Sequence, residues 1–325
     1  MSGSMTIPTL DFATVVFRRE LGLLRVQARS FARHVPPGAV NRVFVIVNDA
    51  EEQACLDAVE RLRDDYGPLK HKLSVLPAGD LLRWPTRAAR LRAALSDRMR
   101  VLRGRSGAGW HGRSGWYMQQ ALKLAVARVA EAPCVVLFDA KNHLLSPCDL
   151  SVFMASDGRP RAAPVVLDDY HFAWRRNAHA FFGCPPPARQ VAALPTVTPF
   201  PVQTADLAAT LAEVEARGGP VQTLFRPRDR QATEFTLIDA WCSAAHGGWS
   251  DRFSPGLADA NVIYRNAGPE DIARALRRAE EGSTPFFGIH REAFALLTEA
   301  DRDRLAAIWR VHGLADRIED ALAIP

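Results

Sequence analysis

Residues 134–142 read CVVLFDAKN: five apolar residues, then Asp139, Ala140, Lys141 and Asn142. A short, unbroken apolar run closed by polar residues reads as a strand covered on both faces. Three runs of the same kind lie upstream, FATVVF at 12–17, RVFVIV at 42–47 and KLSVL at 72–76. The intervals between them carry helical spacing. Leu21, Leu24, Ala28, Phe31 and Ala32 share one side of the first, Pro36, Pro37 and Gly38 stop it, and residues 51–66 form the second. The order β-α-β-α-β predicts a parallel sheet with right-handed crossovers.

The same reading continues downstream. Helix is expected at 81–102 and 115–130, separated by a Gly-, Ser- and Arg-rich loop at 104–114. Residues 165–167 are a candidate strand, and 196–202 is extended around its prolines. Helices follow at 205–217, 233–245, 269–281 and 299–311, with a strand at 285–289. No internal repeat, low-complexity tract or linker interrupts the pattern, so one compact domain is expected.

Composition bounds the function. The chain has 325 residues, 48% hydrophobic and 24% charged, which suits a packed core and excludes disordered, collagen-like and coiled-coil architectures. No apolar run approaches the ~18 residues of a membrane span, and the N-terminus lacks the basic and apolar regions of a signal peptide. A cytoplasmic protein, at most peripheral to a membrane, is expected. Five Cys without a C-x-x-C and nine scattered His without H-E-x-x-H argue against a disulfide framework or a zinc site. Net charge is only +5, yet residues 83–113 hold nine Arg against one acid, Asp97. Such a field attracts phosphates or an anionic membrane surface, and without interleaved aromatics it does not suggest specific nucleic-acid binding. The sequence GRSGAG at 104–109 matches neither the dinucleotide fingerprint nor the P-loop, and no G-x-S-x-G elbow is present.

In open parallel sheets, ligands bind outside the carboxyl ends of the strands. Four polar clusters fall there: residues 14–18 with Glu20, Asn48 with Asp49, residues 139–143, and His290 behind the FFGI run. The sharpest is FDAKN. A strand that delivers an acid beside a second polar group can grip a phosphate-bearing substrate, often with a divalent metal. Lys141 cannot ligate a metal, but it can neutralise a diphosphate as a point charge. On the helix GWYMQQALKL, Trp116, Gln119, Gln120 and Lys123 share a face suited to hydroxyls and phosphate, while Leu122, Ala125, Val126 and Val129 point to the core.

Taken in order, TVVFRREL, LLRVQARS, VND, GWYMQQALKL, LFDAKNHLLSP, TPFPV, TEFTLIDAW and FFGIHREAF together resemble an uncharacterised bacterial family of glycosyltransferase-like proteins. That family is found near polysaccharide and capsule genes and is related to the GT-A nucleotide-diphosphosugar transferases. The similarity covers about residues 10–312. It implies an α/β GT-A fold, a Rossmann-type, mostly parallel sheet flanked by helices, with residues 6–265 binding a nucleotide sugar and 266–325 completing the same domain. It further implies transfer of a sugar from a nucleotide-diphosphate sugar to a hydroxyl of a glycan or lipid-linked glycan. The alternative is a non-catalytic nucleotide- or polyanion-binding module on the same scaffold.

Carried over residue by residue, the resemblance places Thr14, Arg18, Asn48 and Asp49 on the nucleotide and Asp139-Ala140-Lys141 where the metal-binding D-x-D belongs. Gln119, Gln120, Lys123, Asn142 and Arg113 join the nucleotide-sugar site. Glu234, ahead of Asp239, is the acceptor-side acid, and His290 is a late histidine near the diphosphate. The lysine departs from the family pattern. Either Lys141, Lys123 and a nearby Arg replace the metal, or Asp139 and His290 still hold Mn²⁺ or Mg²⁺; D-x-K favours the first.

Overall fold

The computed structural model describes residues 9–83, 86–88, 91–92, 95, 99, 108–109, 113–225 and 232–323. The strands that carry the architecture are β1 (Leu10–Val16), β2 (Val40–Val47), β3 (Leu73–Pro77), β4 (Cys134–Asp139), β5 (Asn142–Leu144), β6 (Phe200–Gln203), β7 (Asn261–Ile263) and β8 (Phe286–Ile289). The main helices are α1 (Leu21–His34), α2 (Glu52–Arg61), α3 (Gly115–Ala125), α4 (Asp169–Phe182), α5 (Thr204–Gly218), α6 (Glu234–His246), α7 (Pro269–Glu280) and α8 (Glu299–Val311).

The large sheet has the order β3-β2-β1-β4-β6. Its first four strands are parallel and β6 closes the edge antiparallel to β4. Because alternate side chains leave opposite faces of a strand, each strand feeds two cores. Phe12, Val16, Val43, Val45, Val136 and Phe138 pack under α1 and α2. Ala13, Val15, Phe44, Ile46, Val135 and Leu137 pack under α3, α5 and α6. This two-sided burial explains the unbroken apolar runs in the sequence. Thr14 falls on the α1 side, opposite Phe138 in the β1–β4 register.

A small sheet of order β7-β8-β5 stands beside the large one. It carries a third core, built with α7, α8 and the fully buried Trp309. Residues 261–263 pair with 287–289 across the expected boundary at 265/266, and 286–288 pair with β5, so the C-terminal part shares one sheet with the strand that follows β4.

Several expectations shift at their ends. The helix at 115–130 is α-helical only to Ala125 and tightens into a 3-10 turn at Val126–Arg128. Residues 165–167 form a single bridge, Val165 to Ala193, instead of a strand. Helix α4 and strand β5 were not anticipated. The markers of α4 are present, since Asp168 accepts from the His171 N–H as N-cap and Gly183 takes a φ of +73° at the C-cap. Most of the expected helix 81–102 and of the Arg-rich segment lies outside the described residues.

Phe12 meets the rings of Phe31, Phe138 and Phe153 at centroid distances of 5.1, 5.1 and 5.7 Å. Truncating it removes the hub of the α1-side core. Phe12→Ala is expected to lose about 3–5 kcal/mol of stability, read as a lowered urea midpoint with an unchanged slope.

Candidate functional site

The carboxyl edge of the large sheet gathers the titratable groups. β4 delivers Asp139 there, with its side chain 25% exposed. Lys123 reaches Oδ1 from α3 at 2.6 Å, and Lys141 closes on Oδ2 from the following loop. One carboxylate therefore carries an ammonium on each oxygen.

Lys123 is itself buried. Its Nζ sits 5.1 Å from the centroid of the Phe235 ring and 3.0 Å from Glu234 Oε1. Glu234 is the first residue of α6, where Thr233 caps the helix and exchanges hydrogen bonds with Thr236. The Glu234 N–H donates to Gln120 Oε1 at 3.2 Å, so α3 supports both the backbone and the charge of Glu234. Glu234 is fully buried, and among the described residues neither of its carboxylate oxygens completes a hydrogen bond. Lys123 meets it as a charge.

The loop bearing Lys141 is held from behind by α1. Gln27 is fully buried and donates through Nε2 to the carbonyls of Asp139, at 2.8 Å, and Asn142, at 2.9 Å. Its Oε1 accepts from the Thr14 hydroxyl at 2.9 Å. Asn142 ties the same loop internally, accepting from the Asp139 N–H at 2.9 Å and the Thr198 hydroxyl at 2.6 Å. Gly288 completes the mount, because a Cβ there would lie 3.2 Å from the Lys141 carbonyl and from Asn142 Nδ2.

Protonation follows from this packing. Burial alone would raise the Asp139 carboxyl, but the Lys123 and Lys141 ammoniums hold it well below the usual carboxylate range. Burial would lower Lys123, and Asp139 with Glu234 instead raises it. Glu234 is raised by burial against the pull of Lys123. Glu20, at the entry to α1, is raised to about 8, first by burial and then by Asp139, while Lys141, Lys123 and Arg291 oppose the shift. Tyr264 is pushed up to about 12 by burial and by Asp139. His290 is lowered by burial and by Lys141. At neutral pH Lys123, Lys141 and Arg291 outweigh Asp139 and Glu234 while Glu20 is protonated, so the cluster is net positive. It suits an anion.

Both oxygens of Asp139 already face ammonium groups, while His290 uses only Nδ1, which accepts from the Glu292 N–H at 3.2 Å. Among the described residues no group of three or more His, Cys, Asp or Glu is placed to hold a metal.

A family model described as a family of unknown function, DUF6492, matches residues 17–256. The chain belongs to this family. No curated protein matches the DUF6492 chain in sequence. Similar solved structures include the galactosyltransferase LgtC in complex with donor and acceptor sugar analogs, at 12% identity and a TM-score of 0.46, covering 93% of this chain and 99% of that one. The apo form of the glycosyltransferase GlyE from Streptococcus pneumoniae TIGR4 is similar at 8% identity and a TM-score of 0.43, covering 96% of this chain and 62% of GlyE. The bifunctional glycosyltransferase WbbM is similar at 8% identity and a TM-score of 0.45, covering 88% of this chain and 46% of WbbM. Likenesses of this degree do not carry an activity over to the DUF6492 chain.

Of the expected residues, the fold brings Lys123, Asp139, Lys141, Glu234 and His290 together, with Gln120 behind them. Gln119 is half-buried on the same helix. The others are placed differently. Thr14 was expected on a nucleotide, but it is buried inside the sheet and its hydroxyl serves Gln27. Asn48 is buried and donates to the Gly115 carbonyl at 3.3 Å. Asp49 closes a turn, accepting from the N–H groups of Arg18 and Glu51, while the Arg18 guanidinium pairs with Glu51. Asn142 is consumed by the loop it ties. Glu234 is fully buried, with Oε1 3.0 Å from Lys123 Nζ. Asp239 belongs to a different network altogether, with Arg175 at 2.8 Å. The Arg113 side chain lies outside the described residues.

Gln27, Tyr264 and Arg291 were missed, and Glu20 was seen only as a neighbour. Gln27 left a legible signal, a polar residue on the apolar side of an amphipathic helix. Tyr264 and Arg291 left none, because only tertiary folding brings β7 and β8 to this edge.

The raised Glu20 pKa has a definite sign. The folded state keeps its proton between the ordinary carboxylate value of 4.5 and about 8, while the unfolded chain releases it. The resulting stability is complete at low pH and is lost as pH rises through this window. Thermal melts are expected to show Glu20→Gln gaining stability relative to the native chain from pH 5 to about 8, with no further relative gain above it.

Proposed function

We propose that this chain is a glycosyltransferase that takes a sugar from a nucleoside-diphosphate sugar, with its own lysines meeting the diphosphate in place of a metal ion. The observation that carries the reading is the Asp139 carboxylate held between Lys123 and Lys141 at the carboxyl edge of the sheet. A diphosphate seated there gains a hydrogen-bonding ammonium from Lys141, while Lys123 supplies charge through Asp139. In the reaction, an acceptor hydroxyl oxygen bonds to the anomeric carbon as the bond to the β-phosphate breaks. The electron pair leaves with the nucleoside diphosphate, where Lys141 stabilises it as charge develops. The hydroxyl proton passes to an oxygen of that leaving group, since Glu234 is sealed in the core. A glycan or lipid-linked glycan of bacterial surface polysaccharide synthesis is the acceptor that the motif resemblance favours.

A second reading has an observation of its own. Glu234 is fully buried and both oxygens of Asp139 are paired with ammonium groups, which fits a module that binds a nucleoside diphosphate without turning it over.

Calorimetric titration with UDP and GDP, followed by a panel of UDP-, GDP-, CMP- and dTDP-sugars, separates these outcomes. Diphosphate binding is expected to persist in EDTA and to weaken about tenfold or more in Lys141→Ala, the scale of one charged hydrogen bond. Sugar release with an acceptor supports the transferase, and binding without release supports the module. Strict dependence on Mn²⁺ would overturn the lysine assignment.

A further inference from the structure

Helix α6 carries a second buried acid. Asp239 lies five residues beyond Glu234, which turns it to the other side of the helix. Its Oδ2 accepts from Arg175 Nε at 2.8 Å and its Oδ1 from the Leu194 N–H at 3.1 Å. His179 Nε2 lies 3.4 Å from Oδ2. Arg175 also donates through Nη1 to the Val191 carbonyl at 2.8 Å. Arg175 and His179 are each 4% exposed.

These two side chains form one wall of a cavity of about 500 Å³ that opens to solvent. Pro187, Val191 and Trp249 supply apolar surface, and the Trp249 indole N–H is already used by the Ala192 carbonyl at 3.0 Å. The remaining terminal nitrogen of Arg175, Nη2, finds no acceptor among the described residues and is not sealed from solvent. The guanidinium plane is fixed by Asp239 and Val191, so an acceptor in the cavity meets a donor that needs no reordering. Volume and lining lie within the range of small-molecule sites, with one charged group set in apolar walls. An unspent guanidinium N–H against such walls selects a carboxylate with an apolar or ring-shaped body.

We propose that this cavity binds an organic carboxylate of about one ring in size through Arg175 Nη2. The inference does not depend on the transferase reading, because the site lies on the opposite side of α6 from Lys123.

Titration calorimetry of the full chain with glucuronate and cyclohexanecarboxylate, against glucose and cyclohexylmethanol, tests it. At least one acid is expected to bind, at least tenfold more tightly than its neutral counterpart. A glucuronate-only response identifies an acidic sugar, and a response to both acids identifies a plain carboxylate. Ala188→Trp fills the cavity from an exposed wall position without touching the Arg175–Asp239 pair, and it is expected to abolish binding. Arg175→Gln is expected to do the same if it folds, and Lys141→Ala is expected to leave binding intact. Failure of both acids to bind, equal binding of acid and neutral ligands, or full binding in Ala188→Trp would each overturn the proposal.

Discussion

The candidate site is organised around one carboxylate shared by two ammonium groups. Any of these charges alone, placed at a half-buried sheet edge, would cost several kcal/mol of desolvation. Together they neutralise one another in part. The arrangement binds distant parts of the chain to a common purpose. β4 and its loop bring Asp139 and Lys141, α3 brings Lys123, and α6 brings Glu234 to hold Lys123 in place. Such groups act as a unit, so removing one member leaves its partner charged and unpaired and the cost is shared among all of them.

The loop between β4 and β5 could not display Lys141 without support from the rest of the molecule. Gln27 secures its carbonyls from α1, and Gly288 lets β8 approach its backbone. Directly after Asn142, His143 is buried, with burial lowering its pKa to about 3, and its Nε2 accepts from the Trp309 indole at 2.8 Å. The neutral imidazole is what permits that bond, because a protonated ring has no lone pair to offer. The C-terminal core is thereby fastened to the segment that carries the charge cluster, which gives the small sheet a role in positioning as well as in stability.

The alternation of buried runs and helical spacing made the large sheet legible in the sequence, because strands covered on both faces must be apolar throughout. FDAKN was legible for the same reason: a polar pair ending an apolar run must emerge at the edge. Helix-face arithmetic placed Lys123 on the site side, but it could not report depth, and Lys123 and Gln120 proved to be buried. Nor could it report that Thr14, Asn48 and Glu234 are buried, with their polar groups bonded within the protein or paired with Lys123. Asp239 shows the remaining weakness. Acids five residues apart on one helix face different neighbours, and only the packing of α4 against α6 reveals that Asp239 meets Arg175 and His179.

The seat of a diphosphate on this edge decides between the lysines and a metal ion. A crystal structure of the chain with UDP, grown with Mn²⁺ present, measures this directly. A β-phosphate oxygen within hydrogen-bond distance of Lys141 Nζ, with the Lys123–Asp139 pair intact and no metal density at Asp139, is the predicted result. A Mn²⁺ ion bridging Asp139 to the diphosphate, with Lys141 displaced from the carboxylate, would contradict it.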